Sequence, residues 1–145
     1  MFVETLLGTA AKRLVAVKDD IPLIDAAKPL SRLNVDLVVV CNADGTLAGV
    51  ISKTDVVREI CVGSSSNMAA ADVMARNVVF CHPTDLLSDV LETMKERRLK
   101  NVPVVGTDMR PIGVLNARDV LETLMQEAEY EEALMRDYVM SVGYQ

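Results

Sequence analysis

Two seven-residue segments, Gly49-Val50-Ile51-Ser52-Lys53-Thr54-Asp55 and Gly113-Val114-Leu115-Asn116-Ala117-Arg118-Asp119, hold the residue types with the clearest chemical use. In each, an apolar run ends at a short polar residue, Ser52 or Asn116, and an acid follows three positions later. A polar residue there caps a helix by accepting a backbone amide, and a carboxylate in the first turn complements the positive end of the helix dipole. At the mouth of a cleft the same carboxylate accepts two hydrogen bonds from a ribose diol, while free helix amides and a neighbouring Lys or Arg hold phosphate. Capping alone and nucleoside binding are the two uses that the spacing allows.

Both segments belong to a longer repeat. A shift of 64 residues lays Val35–Val57 on Leu99–Leu121 without a gap, with identities that include Val38/Val102, Val40/Val104, Asp44/Asp108, Gly49/Gly113 and Asp55/Asp119. The match extends upstream through Leu23/Leu87 and Asp25/Asp89. Two copies are too few for a solenoid and predict a pseudo-twofold pair of small units sharing one core.

Each copy reads as strand, helix, strand, strand, helix. Short strands are predicted over Leu14–Val17 and Val78–Cys81, with capped helix starts at Asp20 and Thr84. The second copy's helix, Asp85–Arg98, puts Leu87, Val90, Leu91 and Met94 on one face, whereas Pro29 should kink or end its counterpart. Then come strands Leu37–Cys41 and Leu47–Ser52, or Val102–Val105 and Ile112–Asn116, and a helix from Lys53 or Ala117. Residues 62–71, with Gly-Ser-Ser-Ser-Asn at their centre, read as a flexible connector. From Asp119 to about Met140 no breaker interrupts an amphipathic pattern, so a long helix is expected to run past the globular body, its apolar stripe needing a partner surface.

Composition narrows the function classes. The chain has 145 residues, 50% hydrophobic and 3% aromatic, enough for a core built from Val, Leu, Ala, Met and Ile without staples. Its net charge of −6 argues against nucleic acid as a partner. Residues 1–118 balance 14 acidic against 14 basic side chains, so the whole excess lies in the 7 acids and single Arg136 of residues 119–145. The three cysteines, Cys41, Cys61 and Cys81, form no CxxC pair, which fits a reducing cytoplasm better than a disulfide scaffold or zinc ribbon. No apolar run approaches the ~18 residues of a membrane span, so a soluble cytoplasmic protein is expected.

The repeated segment resembles the Gly-hydrophobic-hydrophobic-[Ser/Thr/Asn]-x-x-Asp signature of the CBS domain, the regulatory module named after cystathionine β-synthase. Asp72-Val73-Met74, His82-Pro83-Thr84-Asp85-Leu86-Leu87 and Lys100-Asn101-Val102-Pro103-Val104-Val105 are similar to the same family, and the resemblance covers about residues 8–125. It implies an α/β fold of the α+β type, with two CBS units, 8–61 and 72–125, packed through their sheets, and a helical extension over 126–145. It also implies clefts for an adenosine-containing ligand such as AMP, ATP, NAD or S-adenosylmethionine, with no cofactor required and no catalysis. Carried onto this sequence, one cleft would use Ser52 and Asp55 with Asn77, Val78, Asn101, Val102 and Pro103, and with Lys53 or Arg76 toward phosphate. The other would use Asn116 and Asp119 with Leu14, Val35, Asp36 and Leu37, and with Arg118 toward phosphate. Asp36 would repel a phosphate that it faced, and Asn116 stands where Ser or Thr is more usual.

The remaining groups have plainer readings. His82, the one histidine, lacks further ligands at metal-binding spacing. Cys41 and Cys81 read as small buried hydrophobes, and Met94, Met125 and Met135 as core fillers. Glu127, Glu129, Glu131 and Glu132, and the basic cluster Lys95, Arg97, Arg98 and Lys100, read as solvated helix faces. The expected protein is a non-catalytic adenine-nucleotide sensor, a homodimer through its terminal helices that signals to a downstream effector protein. The alternative is an interaction protein with degenerate clefts that assembles through the same helix.

Overall fold

The computed structural model describes residues 1–63 and 67–143. A short 3-10 turn leads into α1 (Leu7–Arg13), followed by β1 (Ala16–Lys18), α2 (Leu23–Ala27), β2 (Leu37–Cys41), β3 (Leu47–Ser52) and α3 (Lys53–Cys61). The second copy comprises α4 (Ala70–Val73), α5 (Leu87–Arg97), β4 (Asn101–Val105), β5 (Pro111–Asn116) and α6 (Ala117–Gly143). In the first sheet β1 runs parallel to β2, which pairs antiparallel with β3; in the second, β4 and β5 pair antiparallel.

Most predicted elements are present, and the late starts of two helices share one cause. The sequence reading placed nothing ahead of Leu14, yet α1 ends only at Arg13, so β1 starts at Ala16. Val78–Cys81 is not a strand: Cys81 alone bridges to Val104, and the chain before it turns to line a cleft. Helices expected from Asp20 and Thr84 begin at Leu23 and Leu87. The residues ahead of them are held extended by segments of the other copy. Leu23 donates its amide to the Met68 carbonyl and Ala70 donates to Ile21, at 2.8 and 2.9 Å. In the second copy Leu87 donates to Met1 and Val3 to Asp85, at 3.0 and 2.9 Å. As Pro29 predicts, α2 stops at Ala27 and gives way to a 3-10 turn over Lys28–Ser31. α4 begins inside the stretch read as a connector, while Ser64–Ser66 at its centre lie outside the described residues.

There are two cores, not one shared core. Val38, Val40 and Ile51 of the first sheet pack with Ala26, Leu30 and Val35, and also with Ala70 and Met74 from the start of the second copy. Val102, Val104 and Leu115 pack with Leu87, Val90 and Met94, and also with Val3 and Ala10 from the start of the first. Each unit is thus closed by a segment that precedes the other unit in sequence. Strand alternation sends Val39, Val105 and Val114 to the sheets' other faces, where they are also buried, so each sheet is covered on both sides.

The repeated glycines are the points of closest approach. A Cβ on Gly49 would stand 2.7 Å from the Ala75 carbonyl oxygen and from Met74 Sδ; on Gly113 it would stand 2.9 Å from the Ala10 backbone. Ala75 exchanges both backbone hydrogen bonds with Val50, at 3.0 and 2.8 Å, lengthening the first sheet by a bridge. α6 leaves the body beyond Leu124: 27 residues at about 1.5 Å each make it roughly 40 Å long. Met125 and Met135, read as core fillers, are exposed on it, as are Tyr138 and Val139.

Gly113→Ala is expected to lower the unfolding free energy by about 1–3 kcal/mol in urea denaturation, because backbone, not a flexible side-chain end, must yield. Gly8→Ala, on α1 with nothing within 4 Å, should be neutral or stabilising by up to ~1 kcal/mol. Burial, with help from the charge of Asp85, pushes the Cys81 thiol up to about 12. The folded state therefore keeps a proton that the unfolded chain releases near pH 8.5. Stability should be undiminished by this group below that value and fall as pH rises toward 12, and Cys81→Ala should flatten that decline in denaturation measured across the alkaline range.

Candidate functional site

Ser52 ends β3 and occupies the N-cap of α3 in extended backbone. Its Oγ accepts the Asp55 amide at 3.2 Å, and its own amide donates to Asp55 Oδ2 at 2.9 Å, a reciprocal capping box. Local capping, the plainer use of the spacing, is therefore realised in the first copy. It does not exhaust the carboxylate. Among the described residues, Asp55 Oδ1 meets only the exposed Arg58, at 3.5 Å.

That oxygen belongs to a residue lining a cleft of about 420 Å³ between the two units, within the range of ligand sites, ~300–1,000 Å³. Leu37, Val50, Val78 and Pro103 give it apolar walls; Ser52, Asp55, Asn77 and Asn101 supply polar groups, and Arg97 a cation. Sequence reasoning assigned Arg97 to a solvated face: it stands in the last turn of α5, a short distance ahead of Asn101, and its helical periodicity carries no sign of the cleft. A second groove of about 480 Å³ shares Ser52, Leu37 and Asn101 with the first and adds Lys53, Arg98 and Lys100.

The sequence-predicted residues divide accordingly. Ser52, Asp55, Asn77, Val78, Asn101 and Pro103 converge on the one cleft. Val102 does not join them, because strand alternation turns it into the second core, where it is 1% exposed and borders a separate cavity of about 170 Å³. Arg76 donates to the Ala71 carbonyl at 3.2 Å and is not among the lining groups. Lys53 pairs with Asp36 at 3.1 Å in the adjoining groove, which neutralises the acid that would have opposed phosphate there. Of the residues expected at the second cleft, Leu37 lines the first, Asp36 lines the adjoining groove, and Val35 is buried in the first core.

The second signature is arranged differently. Asn116 Oδ1 accepts the Arg118 amide at 3.0 Å, and its Nδ2 donates to Asn101 Oδ1 at 3.1 Å. Arg118 pairs along the exposed helix face with Glu122 at 3.5 Å. Both oxygens of Asp119 are taken by Arg13, at the end of α1 beside Leu14: Nε donates to Oδ2 at 2.6 Å and Nη2 to Oδ1 at 3.1 Å. The carboxylate holds the Arg13 guanidinium above its ordinary pKa. Arg13 escaped the sequence reading because no element had been placed ahead of Leu14.

Elsewhere, the His82 ring Nδ1 stands 3.2 Å from the Val105 carbonyl oxygen, and Cys81 is buried. Among the described residues no group of three His, Cys, Asp or Glu side chains comes together, and no helix is long and apolar enough to cross a membrane.

Comparison with known proteins gives a consistent picture. Two curated relatives, the L-aspartate semialdehyde sulfurtransferase of Methanocaldococcus jannaschii and the homoserine O-acetyltransferase of Methanohalobium evestigatum, are 24% and 22% identical over 76% and 74% of this chain. Both matches cover 21% of the relative, so the chain spans about a fifth of their length. A CBS-domain-containing protein of Agrobacterium tumefaciens superposes with a TM-score of 0.71 at 28% identity, over 85% of this chain and 98% of that one. A CBS domain pair solved with 5′-methylthioadenosine and S-adenosyl-L-methionine gives 0.73 at 21% identity, and CBSX2 solved with AMP gives 0.72 at 22%, each over 88% of this chain and 98% of its own. The CBS domain family model matches residues 6–62 and again 70–126. With two matched repeats spanning most of its length and a cleft where they meet, the chain belongs to the CBS domain family as a tandem pair.

Proposed function

We propose that the chain is a regulatory module that binds an adenine nucleotide in the cleft headed by Asp55. The observation that carries this reading is the convergence of a carboxylate whose second oxygen, among the described residues, meets only the exposed Arg58 at 3.5 Å, three further polar side chains, a cation and apolar walls in a single cleft. Asp55 Oδ1 accepts the ribose hydroxyls, the adenine lies between Leu37, Val78 and Pro103, and the helix N-terminus with Arg97 draws the phosphate. Solved CBS pairs bound to AMP and to S-adenosylmethionine support an adenosine ligand. Since residues from both units line the cleft, occupancy biases how the units sit against each other, which is the two-state element a sensor needs. The proposed chain works in the cytoplasm as a homodimer that reports to an effector protein and catalyses nothing itself.

Titration calorimetry with AMP, ATP, NAD and S-adenosylmethionine tests this reading. At least one is expected to bind below millimolar, and Asp55→Ala should weaken it about 10- to 100-fold through loss of hydrogen bonds to a charged acceptor. The variant also loses half a capping box, so Asp72→Ala, which removes the carboxylate accepting the Ala69 amide at 2.8 Å outside the cleft, is the control and should leave affinity within two-fold. Failure of all four ligands to bind would refute the proposal.

The exposed apolar residues of α6, Leu121, Met125, Leu134, Met135, Tyr138 and Val139, favour a second role in assembly. Deleting residues 126–145 should convert a dimer to a monomer in light scattering while nucleotide affinity changes less than two-fold. Loss of ligand binding with an intact dimer would reject this division of labour.

A further inference from the structure

Under the 64-residue shift that relates the copies, Asn77 corresponds to Arg13. Each ends an exchanged segment packed on a signature glycine: Ala10 lies against Gly113 three residues before Arg13, and Met74 against Gly49 three residues before Asn77. This packing brings each residue to the neighbourhood of one signature acid. Asn77 and Asp55 line the open cleft together. Arg13 instead reaches Asp119 and donates to both of its oxygens, at 2.6 and 3.1 Å. Burial does not distinguish the two acids, since each carboxylate side chain is 19% exposed. What distinguishes them is the partner: Asp119 is held two-pronged by Arg13 from a distant segment, whereas Asp55 Oδ1, among the described residues, meets only the exposed Arg58 of its own helix, at 3.5 Å.

We propose that Arg13 is a built-in plug of the second cleft: its guanidinium fork takes the carboxylate that would otherwise hold a ribose diol, so each chain accepts one nucleoside ligand, at Asp55, and not two. The inference rests on the nucleotide reading of the Asp55 cleft. A two-pronged, charge-assisted contact is stronger than the neutral hydroxyl contacts that would replace it, and displacing it leaves a half-buried guanidinium in want of a partner. Any ligand at Asp119 binds only the fraction of molecules in which the plug is withdrawn, and its apparent affinity falls by that fraction. Asparagine at the equivalent place is shorter and neutral, and leaves Asp55 Oδ1 with the long contact to exposed Arg58, at 3.5 Å. Arg13 therefore sets the number of sites without touching the ligand.

Exchanging the two residues tests this. AMP and ATP are titrated calorimetrically into the full wild-type chain, Arg13→Asn and Asn77→Arg, each first checked for a cooperative melt. Wild type should bind about one nucleotide per chain, Arg13→Asn close to two, and Asn77→Arg should bind at least 10-fold more weakly than wild type. If Arg13→Asn does not fold, Asn77→Arg and the wild-type stoichiometry decide the matter. Two sites in wild type, one site in a folded Arg13→Asn, or wild-type affinity in a folded Asn77→Arg would overturn the proposal. If wild type binds neither nucleotide, the reading of the Asp55 cleft fails, whereas the plug stands if Arg13→Asn then binds and falls if it does not.

Discussion

The architecture depends on how closely an exchanged segment approaches the glycine in the last strand of each unit. At Gly49 and Gly113 a side chain would overlap backbone atoms of Ala75 and Ala10, so the repeated glycines are steric requirements of the pairing. Neither unit has a complete core without the other's leading segment: Met74 and Ala70 fill the first, and Ala10 and Val3 the second. A unit of this size buries a small fraction of its surface and is marginal by itself, and reciprocal completion enlarges each core. It also engages the Ile21 and Asp85 carbonyls and the Leu23 and Leu87 amides in backbone contacts with the other unit's leading segment, so both helices start later than their local sequence suggests.

The same contact builds the candidate site. The chain that passes Gly49 continues directly into Asn77, Val78 and Val79, and these line the cleft opposite Ser52 and Asp55. The fold is thereby coupled to the cleft by a few peptide units, with no long lever between core packing and ligand contacts. In the second copy the equivalent path leads from Ala10 to Arg13, which holds both oxygens of Asp119, whereas Asn77 lines the cleft beside Asp55. Pseudo-symmetry of the backbone therefore coexists with chemical asymmetry around its two signature acids.

Much of this was legible in the residues themselves. The limits of β2 and β3 and the starts of α3 and α6 follow from alternation, turn residues and the capping pattern at Ser52, because these are local effects. Most of the Asp55 cleft was legible too, since the repeat singles out the acid and the resemblance names its partners. Val102 was misplaced because a one-residue step along a strand moves a side chain to the opposite face, and only the pairing register decides which face is the core; Val35, in the loop ahead of β2, is drawn into the first core by tertiary packing. Arg97 and Arg13 were missed because each stands in the last turn of a helix, where charge is the usual sequence pattern and carries no mark of what lies across from it.

By itself the sequence determined the repeat, the family, the strands that pair within each copy and the two acids that close each signature. It also determined that the excess negative charge belongs to α6 and leaves the body balanced, because counting needs no coordinates. Only the tertiary structure decided which copy each leading segment completes, that two cores form instead of one, and that Asp55 faces a cleft while Asp119 is held by Arg13. Those outcomes are contacts between residues far apart in the chain, such as the 106 positions separating Arg13 from Asp119. Periodicity and capping report the preferences of neighbours, whereas which distant groups meet is settled by the packing of whole units.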